Sequence, residues 1–101
     1  MHRYLRLAEV MRQLQVDAEF LRSLEDEDLV HPKRTSEDDV VVSAEDAERV
    51  RLARMLMREL EVNLAGVEVI MHMRESMVSM QQQFSEILEE LAEELRRRSQ
   101  R

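Results

Sequence analysis

From Leu64 to Arg98 the chain contains no proline, and its one glycine, Gly66, stands near the start of the stretch. Ile70, Met73, Met77, Met80, Phe84, Ile87 and Leu91 advance through it by alternating steps of three and four, the a/d spacing of a coiled coil. At 1.5 Å per residue such a helix runs for about 52 Å, more than a small domain built from the residues before it can wrap. A second copy is the economical cover, so a homodimer is expected, its parallel or antiparallel order left open by spacing alone. Leu88 and Leu95 predict a small shift of the stripe after Phe84. Methionines on the seam adapt to irregular packing but specify register less sharply than leucine or isoleucine. Glu89, Glu90, Glu93 and Glu94, followed by Arg96, Arg97 and Arg98, read as a solvated helix end whose arginines complement the dipole.

The preceding residues divide into shorter pieces, giving an expected boundary between 1–62 and 63–101. Tyr4 to Leu7 reads as an extended lead-in, and Leu7, Val10, Met11 and Leu14 have the spacing of a core-facing helix over residues 7–14. Val16 and Asp17 mark a turn in which Asp17 can cap a second helix carrying Phe20, Leu21 and Leu24. His31-Pro32 is expected to end that helix, because proline cannot continue the hydrogen-bond ladder and restricts its neighbour. The polar stretch from Lys33 to Asp39 and the β-branched run Val40-Val41-Val42 then form a wing.

Ser43 is a credible N-cap for a helix over residues 44–60, with Asp46 placed to return a capping-box bond. Ala47, Val50, Leu52, Ala53, Leu56, Met57 and Leu60 give this helix a broad apolar side. Burying three of the larger ones contributes roughly 5 to 9 kcal/mol before entropy is counted. Asn63 breaks this helix and caps the next, where Gly66 lets a bulky neighbour approach closely. The expected fold is therefore mainly α: a winged helix-turn-helix unit followed by a long coiled-coil helix.

Chemistry is bounded more tightly than architecture. A chain of 101 residues with one glycine, one proline and no cysteine supports a small helical domain and excludes thiolate metal sites and disulfides. No Gly-rich phosphate loop or nucleophile elbow occurs, and His2, His31 and His72 stand apart without metal-ligand spacing. No cofactor, metal or catalytic residue is expected. The N-terminus lacks a secretory core and no apolar run is long enough to span a bilayer, so a cytoplasmic protein without membrane partners is expected.

The acids point to function. Formal charge is -7 at pH 7, and Asp17 to Glu48 holds 12 acidic residues against Arg22, Lys33 and Arg34. Phosphate-binding surfaces collect cations, since counterion release supplies much of nucleic-acid affinity. Asp17, Glu19, Glu25, Asp26, Glu27, Asp28, Glu37, Asp38 and Asp39 are instead candidates for docking a basic protein, with Phe20, Leu24, Leu29 and Val30 as apolar accompaniment. Solubility alone is the plainer explanation of these charges.

The order of elements resembles the N-terminal unit of MerR-type regulators followed by their dimerisation helix. The segments Leu21-Arg22-Ser23-Leu24-Glu25, Asp28-Leu29-Val30-His31-Pro32-Lys33-Arg34 and Ser43-Ala44-Glu45-Asp46 carry that resemblance. Leu60-Glu61-Val62-Asn63-Leu64-Ala65-Gly66-Val67 is similar to a block shared by the heat-shock repressor HspR and the chaperone modulator family CbpM. The CbpM resemblance implies binding to the J domain of a DnaJ-like co-chaperone of the CbpA type; the HspR one implies binding to promoter DNA. Leu24 stands where DNA-binding members usually have an aromatic, and Val41-Val42-Ser43 where they have Arg-Tyr-Ser. With acids in the recognition-helix region and wing, these departures favour the CbpM reading over a DNA-binding regulator or an unrelated interaction module. Asp28 occupies a position that is usually glycine in the family, which puts the turn into Leu29-Val30 in question.

Overall fold

The computed structural model describes residues 3–100. They pack as two units, Met1–Glu68 and Val69–Arg101. The first holds β1 (Tyr4–Arg6), α1 (Leu7–Leu14), α2 (Ala18–Asp26), β2 (Lys33–Arg34), β3 (Val40–Ser43), α3 (Ala44–Arg58) and the start of α4 (Leu64–Ser99). The remainder of α4 makes up the second. The expected mainly α class, a winged helical unit and a long C-terminal helix, is the observed one.

Local chemistry sets most helix ends. The Asp17 carboxylate accepts from the Phe20 amide at 2.8 Å, the Ser43 hydroxyl from the Asp46 amide at 3.0 Å, and the Asn63 side-chain oxygen from the Gly66 amide at 2.8 Å. Each satisfies an amide that the first helical turn leaves without a partner. α1 closes through Gln15, which has φ 55° and lets the Val16 amide reach back to the Met11 carbonyl at 3.1 Å. The Val16 side chain is then buried, supplying the apolar contact that accompanies such closures.

β3 is the central strand, antiparallel to β1 on one side, with Leu5 opposite Val42, and to β2 on the other, with Lys33 opposite Val41. The lead-in expected before α1 is thus a paired strand. The wing is the β2–β3 hairpin, closed by the Thr35 amide on the Asp39 carbonyl at 2.8 Å. Val42 on β3, Val10 on α1, Leu21 and Leu24 on α2, Val50, Ala53 and Leu56 on α3, and Val67 on α4 fill the core.

Two boundaries and one side-chain role differ from expectation. α2 ends at Asp26, well before Pro32, because Asp28 turns left-handed with φ 58° and the Leu29 amide bonds to the Leu24 carbonyl at 2.9 Å. α3 stops at Arg58, so Leu60 leaves the apolar stripe and is exposed. Asp46 does not serve a capping box: its carboxylate accepts from the His31 amide at 2.8 Å and from Arg49 Nη1 at 2.7 Å, and the residue is buried.

Gly66 makes the close approach expected of it. A Cβ built there would lie 2.7 Å from Val62 Cγ1 and 3.3 Å from the capping oxygen of Asn63. In the second unit, Met71 is buried and Ile70 half-buried, while Met73, Met77, Met80, Phe84, Ile87 and Leu91 are all exposed.

Candidate protein-docking surface

The structure sorts the nine candidate acids into three groups. Asp17 and Glu19 begin α2, Glu25 to Asp28 end it, and Glu37, Asp38 and Asp39 sit in the turn of the wing. All are exposed except Asp39, which is half-buried. A rise of six residues of α2, about 9 Å along the helix axis, separates Glu19 from Glu25, so the acids of α2 fall into two groups.

Their electrostatic settings differ. Asp17 caps the helix and Glu19 lies in its first turn, where the dipole favours an anion. Glu25, Asp26 and Glu27 stand at the opposite end, where the dipole disfavours them, and the last turn carries no basic residue. Asp28 sits 3.9 Å from His31 Nε2. The dipole at this end of α2 gives Glu25, Asp26 and Glu27 no stabilisation.

The cations in and beside the wing have local partners. Arg34 Nη1 donates to Asp38 Oδ1 at 2.8 Å, Arg6 lies 3.9 Å from Asp39, and Lys33 Nζ sits 5.8 Å from the centre of the Tyr4 ring. The Thr35 hydroxyl also accepts from the Asp39 amide at 3.3 Å. Asp38 and Asp39 therefore shape the wing as well as charging it, whereas Glu37 is exposed beside them.

Other acids of the segment have structural work. Asp46 is internal, and Glu48 is bonded to Arg51 one turn along α3, an interaction that, with the charge of Glu48, raises the arginine's proton affinity. Of the expected apolar accompaniment, Leu24 and Val30 belong to the core and offer no contact surface. Phe20 and Leu29 are half-buried, and Arg58 lies 6.0 Å from the Phe20 ring centre. Leu24 is fully enclosed by the winged unit.

His2 lies outside the described residues, His31 and His72 are exposed, and among the described residues no group of three or more metal-ligating side chains is assembled. No helix among them is long and apolar enough to cross a membrane.

The profile of the MerR HTH family regulatory proteins matches residues 5–96, covering both the winged unit and most of α4. The chain belongs to this family. No curated protein matches it. The MerR-family frame explains the sequential arrangement of α1, α2, wing and α3, and it points to a regulatory rather than a catalytic role. In this MerR-family chain the end of α2 and the tip of the wing carry exposed acids, and the wing's Arg34 is held by one of them, Asp38.

Proposed function

We propose that this MerR-family protein is a cytoplasmic modulator of a DnaJ-like co-chaperone of the CbpA type. It binds the J domain, covers the basic helix that J domains present to Hsp70, and so lowers co-chaperone stimulation by direct competition. The observation that carries this reading is the run Glu25 to Asp28, exposed at the end of α2 where the helix dipole opposes it. Acids at such a position disfavour the folded chain by about 0.3 to 1 kcal/mol each. A basic partner reverses that sign on binding, and complementary fields speed encounter. Phe20 and Leu29 supply apolar contact, which exposed ion pairs need because salt screens them.

Titration of a CbpA-type J domain with the full chain tests the reading. Binding should weaken with salt and fall by about tenfold or more when Glu25, Asp26 and Glu27 are reversed to lysine. These are better positions than Asp38, whose replacement would also remove the Arg34 pair of the hairpin. Binding indifferent to the reversal defeats the electrostatic face.

Family membership is equally compatible with one rival, regulation by DNA binding. It makes the opposite forecast: the lysine reversals would tighten association with duplex DNA, and the unaltered chain would hold DNA more strongly than a J domain. In either case we propose that two copies associate through the apolar stripe of α4, parallel or antiparallel.

A further inference from the structure

We propose that Met73, Met77 and Met80 form an oxidation-sensitive segment of the α4 stripe, whose conversion to sulfoxides by a peroxide weakens self-association. The inference rests on the reading that α4 pairs with a second copy. Three consecutive a/d positions are thioethers, and their exposures are 58%, 68% and 68%. Beyond them the stripe turns to Phe84, Ile87 and Leu91, hydrocarbon side chains that a peroxide leaves intact. The chain has no cysteine to consume the oxidant first. Met71, two residues from Met73, is only 3% exposed, so the same helix carries its own protected control.

In the reaction the thioether sulfur attacks one oxygen of hydrogen peroxide and the O–O bond breaks. The sulfur gains that oxygen and gives up two electrons, and the departing hydroxide takes the remaining proton as water. A flexible apolar side chain becomes a polar one with a strong acceptor and no donor. Buried in an apolar seam, that acceptor finds no partner and opposes association. Methionine also explains what leucine would not: the reaction is reversible by methionine sulfoxide reductases, so the segment can be reset.

The test treats the full chain with hydrogen peroxide at a concentration where it is monomeric, maps sulfoxides by peptide mass spectrometry, and measures self-association by sedimentation. Met73, Met77 and Met80 should oxidise ahead of Met71, and the dimer should weaken by about tenfold or more. Reductase treatment should restore it, and the M73L/M77L/M80L variant should keep its association after peroxide. Equal oxidation of Met71, an oxidised chain that associates as tightly as the untreated one, or equal weakening of the leucine variant overturns the proposal. An untreated chain that stays monomeric at every concentration overturns the pairing on which it rests, a result distinct from failure of the oxidation step.

Discussion

The carboxylate of Asp46, near the start of α3, accepts the backbone N–H of His31 at 2.8 Å, tying the segment after α2 to the helix that carries much of the core. Its other oxygen holds Arg49 at 2.7 Å. Asp46→Ala leaves the His31 amide without its acceptor and should cost about 2 kcal/mol in urea unfolding. Asp46→Asn retains a side-chain oxygen for His31 and should lose less. Equal loss for the two would show that acceptance by His31 is not what matters.

Asp28 holds a left-handed turn at φ 58°, a conformation that glycine adopts without a Cβ penalty. Asp28→Gly should therefore raise stability by about 0.5 to 1 kcal/mol, read as an upward shift of the thermal midpoint. The exposed contact with His31, at 3.9 Å, is too weak to offset this. A lowered midpoint would sink the assignment.

Gly66→Ala sets two effects against each other. Alanine gains about 1 kcal/mol in helix propensity, but its Cβ meets the stiff, β-branched Val62 at 2.7 Å. Overpacking of this kind costs about 1 to 3 kcal/mol, so the variant should be less stable than the parent. Adding Val62→Ala should then recover part of the loss, and a strictly additive double variant would reject the contact.

Phe84 is 62% exposed on α4 and Met77 68%. If a second copy covers them, aspartate at both positions puts unpaired charge into the seam and should abolish the dimer in sedimentation equilibrium. The winged unit, which contains neither residue, should keep its fold by amide exchange. An unchanged dimer mass removes this stripe as the interface.

On α1, the Arg12 guanidinium donates to Glu9, and that bond together with its charge holds the Glu9 carboxyl below the usual carboxylate range. A lowered folded-state value means the contribution to stability is present above the unfolded pKa and is lost as pH falls through the folded one. In an NMR titration Arg12→Gln should move Glu9 back upward. No movement would remove the pair as the cause.

Contacts that close within a few residues were legible in the sequence. The capping roles of Asp17, Ser43 and Asn63 follow from side-chain oxygens that reach an amide three positions on, and the limits of α1 follow from its apolar spacing. The exposed acids of α2 and the wing were readable too, because charged groups are costly to take out of water. Their division into separate groups was not, since it depends on where α2 stops.

Sequence alone determined the helical class, the wing and the long helix α4 with its exposed apolar stripe, because propensity, capping and periodicity act over one or two turns. Tertiary structure decided that Leu5 pairs with Val42, that Val30 is internal rather than a contact residue, and that Asp46 belongs to the interior rather than to an acidic face. Each of these joins residues far apart along the chain or depends on what covers them. Their free energy appears only when the backbone brings the partners together and excludes water, and no local pattern of side chains encodes that.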